Sequence, residues 1–119
     1  MVAALETLAD DFTSRCEVLE FLKSCYQNKG MTASCRGFKM IFSLYSERGP
    51  AGLTSAMLHE ANKEDCILEF IKGDLRLLCF SVANTMYLTN GYVKKSQKAD
   101  KTEVARAIQA RKDFLATKK

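Results

Sequence analysis

Cys66-Ile67-Leu68-Glu69-Phe70-Ile71-Lys72-Gly73-Asp74-Leu75-Arg76-Leu77-Leu78-Cys79-Phe80-Ser81-Val82 is the stretch on which the fold turns. Two apolar runs flank Gly73-Asp74, a two-residue turn signal with glycine first. The spacing predicts a β-hairpin, with residues 66–72 as one strand and 75–82 as the next. Such a turn also sets the register, with Lys72 opposite Leu75 and Ile71 opposite Arg76. Glu69 and Arg76 then share a face as diagonal neighbours, about 7–8 Å apart at Cα and within reach of long side chains. The second strand is apolar on both faces and so belongs in the middle of a sheet. Ala83-Asn84 turns the chain into a third strand over residues 85–89.

Upstream of the hairpin the period changes from two to 3.6. Val18, Leu19, Phe21, Leu22, Cys25 and Tyr26 recur at helical spacing after Thr13 or Ser14, either of which can cap a helix. Asn28-Lys29-Gly30 ends that helix, with Gly30 expected as a left-handed cap. Ser34 is expected to cap a second helix that buries Phe38, Ile41, Phe42, Leu44 and Tyr45. Phe38, Met40, Phe42 and Leu44 also alternate, which leaves a strand open. The short linker and the Gly49-Pro50 stop favour a helical hairpin. Residues 3–12 read as either a short strand or a turn. Residues 51–65 read as a turn-rich connection, and the single histidine, His59, falls within it.

Downstream, Thr102 is expected to cap a last helix whose apolar side is Val104, Ala107, Ile108, Phe114 and Leu115. The order of two helices, a meander and one helix predicts a single α+β domain over residues 1–119. Its parts would be an N-terminal helical hairpin, a three- to four-stranded antiparallel sheet and a C-terminal helix. With the helices on one face, the other face of the sheet would stay open to a ligand.

Between the third strand and the last helix lies Asn90-Gly91-Tyr92-Val93-Lys94-Lys95-Ser96-Gln97-Lys98. An aromatic and a lysine pair at a strand end can meet a base and a phosphate backbone together. Their plainer reading is a solvated strand end and a rim aromatic. The segment from Tyr92 to Lys119 has nine Lys or Arg against three Asp or Glu, +6, and the remainder is −2, which together give the chain's +4. A basic end on a near-neutral body suits a polyanion or an acidic partner, and equally a solvated helix face.

A charged pair inside apolar strands, Glu69 with Arg76, is costly unless it is paired or faces a ligand. It reads either as a cross-hairpin salt bridge or as a phosphate-holding arginine beside a carboxylate that orients it or takes a proton. His59 could serve as acid or base only if its segment folds over the sheet. Met31, Met40, Met57 and Met86 read as packing. Cys16, Cys25, Cys35, Cys66 and Cys79 contain no C-x-x-C pair and meet only one histidine, which argues against zinc and for reduced core thiols in a cytoplasmic protein. No apolar run is long enough for a transmembrane helix, and the acidic N-terminus is unlike a secretory signal.

Taken together, Ile67-Leu68-Glu69-Phe70, Leu75-Arg76-Leu77-Leu78 and the segment Leu88-Thr89-Asn90-Gly91-Tyr92-Val93-Lys94-Lys95-Ser96-Gln97-Lys98 resemble the RelE/ParE toxin superfamily. The nearest pattern is that of the HigB-like, phage-derived branch. Glu103-Val104-Ala105-Arg106-Ala107, Arg111-Lys112-Asp113 and the Arg48-Gly49-Pro50 stop also fit, and the likeness spans about residues 14–115. The resemblance implies the toxin of a type II toxin–antitoxin pair. Such a toxin cuts mRNA on the ribosome without a metal or other cofactor and is neutralised by a cognate antitoxin protein. It further implies catalytic roles for Arg76, Glu69 and Lys94, with Arg76 on the scissile phosphate. RNA contacts would fall to Lys95, Tyr92, Gln97, Asn90 and Lys98.

The chain departs from the branch at several positions. Asn90 stands where the branch usually has His, and Tyr92 where it has Phe. Phe70-Ile71 replaces the usual Leu-Arg, and the aromatic expected just before Glu69 is absent. These departures leave an alternative, a weakened or non-enzymatic member of the fold acting by protein binding, with ParE-like gyrase inhibition included. The oligomeric state is not legible in the sequence.

Overall fold

A computed structural model of the chain describes residues 2–5, 7–8, 14–28, 30–83, 85–95 and 100–117. In chain order its elements are β1 (Val2–Ala4), β2 (Thr7–Leu8), β3 (Ser14–Arg15), α1 (Glu17–Tyr26), α2 (Thr32–Arg48), a 3-10 turn (Gly49–Gly52), β4 (Leu58–Asn62), β5 (Ile67–Lys72), β6 (Leu75–Val82), β7 (Thr85–Val93) and α3 (Lys101–Thr117). This is the expected α+β class, built on a five-stranded sheet of order β1-β7-β6-β5-β4, beside a separate β2–β3 pair.

The β5–β6 hairpin takes the register that Gly73-Asp74 dictates, with Lys72 opposite Leu75 and Ile71 opposite Arg76. Gly73 has φ +59, the mirror-image turn conformation that matches strand twist and that a Cβ would oppose. Along β6 the alternation divides the core. Leu75, Leu77 and Cys79 join Val18, Cys25, Phe38, Ile41 and Phe70 under α1 and α2. Leu78 and Phe80 join Ile67, Tyr92, Val104 and Ala107 under α3.

The helical hairpin forms for the reason its period gives. In α1, Val18 and Cys25 are buried, with Phe21 and Leu22 packed beside them. Glu17 and Glu20 in its first turn and Lys23 in its last suit the helix dipole. Its end differs from expectation. Cys16, and not Ser14, holds the N-cap position, without a side-chain bond. Thr13 itself lies outside the described residues. Gly30 is not a left-handed cap either, because its N–H bonds the Asn28 side chain at 3.0 Å and the helix closes on Gln27.

In α2, Phe38 and Ile41 are buried while Met40 is 52% exposed, which a strand of alternating Phe38, Met40 and Phe42 would not give. The helix begins at Thr32, ahead of Ser34, and Gly49 ends it at φ +64. Where α1 crosses β7, the backbone at Gly91 leaves room for the Phe21 ring, and a Cβ there would collide with it.

Four features correct the expected architecture. Residues 2–4 form β1, which pairs in parallel with Met86, Tyr87 and Leu88 of β7, so the sheet is mixed. Part of the supposed turn-rich connection is β4, an edge strand antiparallel to β5. β7 runs on through Val93 and does not stop at Thr89. Finally, α3 lies on the face opposite α1 and α2, so the second face is partly covered, chiefly over β7 and β6. Phe114 of α3 closes that cover against Phe80 and Tyr87, with ring centroids 5.5 and 4.6 Å apart.

Candidate functional site

Four neighbouring strands converge on one carboxylate. Glu69 sits on β5 facing the α3 side, and in register it is opposite His59 of β4. Arg76 of β6 is its diagonal neighbour and lies opposite Tyr92 of β7. Glu69, Arg76 and Tyr92 are 3%, 7% and 8% exposed, whereas the His59 side chain is 43% exposed.

Glu69 is held at both oxygens. Its Oε1 lies 2.6 Å from His59 Nε2, and its Oε2 accepts the Tyr92 hydroxyl proton at 2.7 Å. Arg76 Nε stands 3.8 Å from Oε1, a charge pair longer than a hydrogen bond. The Arg76 Nη1 donates to the carbonyls of Gly73 at 2.8 Å and Leu75 at 3.0 Å, which ties the guanidinium to the hairpin turn. Such a set of partners is what a carboxylate taken out of water requires.

Tyr92 also meets the start of α3. Burial first, then the hydrogen bond and charge of Glu69, hold its phenol protonated well above the usual tyrosine range. The Asp100 backbone N–H donates to the phenol oxygen and acts the other way. Asp100 Oδ1 caps α3 by accepting from the N–H groups of Thr102 at 3.0 Å and Glu103 at 3.1 Å. The cap is therefore Asp100, two residues ahead of the expected Thr102. On the far side of β6, burial first and Glu69's charge second push the Cys79 thiol up.

A β-bulge places Tyr92. Leu78 is opposite Asn90 and Cys79 is opposite Leu88, so β7 carries one extra residue at Thr89. Simple alternation would put Tyr87 and Tyr92 on opposite faces. The bulge brings both under α3.

Six of the sequence candidates fall among the described residues. Glu69, Arg76 and Tyr92 come together. Tyr92's ring belongs to the core beneath α3, so it is not an open platform on which a base could stack. Asn90 is 3% exposed and turned inward. Its Nδ2 donates to the Glu103 carbonyl at 3.1 Å and its Oδ1 accepts from Thr89 Oγ1 at 2.7 Å. That is the position of an anchor for α3. Lys94 is half-buried just past β7, where its N–H bonds the Asp74 carbonyl at 2.7 Å, and Lys95 is exposed. Gln97 and Lys98 lie outside the described residues.

Part of the basic charge at the C-terminal end is matched internally, since Arg106 pairs with both Glu17 and Glu103. His59 joins the cluster from outside the strands expected from the sequence. Its segment, expected as a connection, is held as a strand by the pairing of Leu58 and His59 with Phe70 and Glu69.

The phage-derived Gp49-like family (DUF891) matches residues 35–112, more than half of the chain. The match runs from α2 through β4, β5, β6 and β7 into α3 and includes every residue of the cluster. The chain belongs to the Gp49-like family. This is a RelE/ParE-like toxin family. No curated protein matches the chain. Among the described residues, no group of three or more His, Cys, Asp and Glu is placed to hold a metal ion, and no helix is long and apolar enough to cross a membrane.

Proposed function

We propose that this Gp49-like chain is the toxin of a toxin–antitoxin pair, and that it acts in the cytoplasm as a metal-independent, ribosome-associated mRNA endonuclease of the HigB-like kind. The observation that carries the reading is the buried Glu69 carboxylate, held by His59, Tyr92 and Arg76 beside the basic end of β7. A sheet face needs no buried charge for stability, and apolar residues of similar volume serve as well or better. An acid–base constellation next to lysines is what RNA transesterification uses, since the 2′-hydroxyl must lose a proton while cations stabilise the charge growing on phosphate. Lys94 and Lys95 are the cations assigned to the RNA backbone, and a cognate antitoxin protein would neutralise the toxin.

Induced expression tests the reading. Growth arrest with new mRNA ends mapped by primer extension, relieved by substituting Lys94 and Lys95 together with Ala, is expected. Growth unaffected by expression, or arrest without new ends, removes the nuclease assignment. RNA binding should also weaken as salt rises.

A second reading has its own observation. The Arg76 guanidinium is buried and bonded to two turn carbonyls, so it presents little surface to a phosphate. A non-enzymatic member of the fold that acts by binding a protein, gyrase included, would need no open arginine. Arrest with intact mRNA and induced DNA-damage signalling selects it.

A further inference from the structure

We propose that His59 is the proton-transfer residue of this site, and that Glu69 acts through it as a positioning residue. The inference deepens the endonuclease reading and rests on it.

Access decides between the two groups. A proton acceptor must come within hydrogen-bond reach of the group it deprotonates. Glu69 is 3% exposed and both of its oxygens are occupied, one by His59 and the other by Tyr92. The His59 side chain is 43% exposed on the edge strand β4, and α3 lies mainly over the other end of the sheet's strand order. Of the four clustered side chains, the imidazole is the one that a large substrate can touch.

The hydrogen-bond pattern also sets the tautomer. Tyr92 keeps its proton and donates it to Oε2, and a carboxylate can only accept. Nε2, 2.6 Å from Oε1, therefore carries a hydrogen, and the lone pair of the neutral ring is on Nδ1. Among the described residues nothing bonds Nδ1. The same carboxylate that orients the ring would stabilise the imidazolium formed when Nδ1 takes up a proton. The charged and titratable groups facing His59 among the described residues are Glu69 on β5 and, behind that carboxylate, Arg76 on β6 and Tyr92 on β7.

The reaction balances without any further reagent but water. Nδ1 takes the proton of an RNA 2′-hydroxyl as the O2′–P bond forms and the P–O5′ bond breaks. The leaving 5′-oxygen takes a proton from water. The hydroxide so formed recovers the proton from the imidazolium. The products are a 2′,3′-cyclic phosphate and a 5′-hydroxyl end.

The test uses the full chain with ribosomes and a defined mRNA, reading single-turnover cleavage against pH and the chemistry of the new ends. His59→Gln keeps a donor for Glu69 but has no titrating nitrogen. It should lose about 100-fold or more in rate, the size of an acid–base contribution, with its urea midpoint close to that of the unmodified chain. One limb of the pH–rate profile should vanish with it. His59→Gly should regain cleavage when free imidazole is added. If Glu69 acts through His59, the His59→Gln/Glu69→Gln pair should be no slower than His59→Gln alone. Cleavage by His59→Gln at the unmodified rate with an unchanged pH profile overturns the inference and leaves the endonuclease reading standing. Absence of cleavage by the unmodified chain removes that reading, and the inference with it.

Discussion

The two faces of the sheet are built on different principles. Under α1 and α2 the cover is mainly apolar, with Phe70 fully buried and met edge-on by Phe42 and Tyr45 at 5.1 and 5.9 Å. Under α3 the apolar part is confined to the region of Ile67, Leu78, Phe80 and Ala107, and the face then passes into Glu69, Arg76, Tyr92 and Asn90. One face is a core in the ordinary sense. The other combines a core with a desolvated polar cluster whose most exposed member among the described residues is His59.

The sharpest way to break that comparison is to damage the apolar face. Phe70→Ala should cost about 3–5 kcal/mol in urea unfolding, the range for a large aromatic removed from a packed core. A smaller loss would mean that this face is less rigid than its packing implies. Tyr92→Phe acts on the polar face and should cost about 1.5–3 kcal/mol, the worth of a hydrogen bond to a charged group.

The same variant carries a pH signature. The folded phenol holds its proton above the ordinary value of 10.0. Below about pH 10 both folded and unfolded chains keep it, so its contribution is constant. Above that, only the unfolded chain releases it and stability falls as pH rises. Alkaline unfolding curves should show this fall in the unmodified chain and a shallower one in Tyr92→Phe.

Smaller effects sharpen the boundary between the two halves of the α3 face. Asp100→Ala should cost about 1 kcal/mol, as loss of an N-cap does, with faster amide exchange confined to the first turn of α3. His59→Gln should change stability by no more than about 0.5 kcal/mol, because the side chain is half-exposed on an edge strand. A large destabilisation there would make His59 a structural member of the cluster.

The sequence was legible wherever structure follows from neighbours in the chain. Gly73-Asp74 fixed the hairpin register through one backbone conformation, and Glu69 and Arg76 followed from it onto a common face. The apolar stripes of α1 and α2 announced a helical hairpin, because periodicity decides which side chains can be buried together. Less of the site was legible. Nothing local to residues 51–65 marks Leu58–Asn62 as a strand, since its bonding comes from β5. The caps failed for a similar reason: Cys16 and Met31 occupy N-cap positions without side-chain bonds, so packing sets those helix starts.

By itself, then, the sequence determined the α+β class, the central hairpin, the basic end and the family likeness, all of them consequences of local pattern and composition. Tertiary structure alone decided the remaining placements. It set β1 beside β7, put α3 across the second face, and used the bulge at Thr89 to turn Tyr92 inward and Asn90 toward Glu103. It also brought His59 from the edge strand to Glu69. These are pairings between residues distant in the chain, and a one-residue change of register reverses which face a side chain meets.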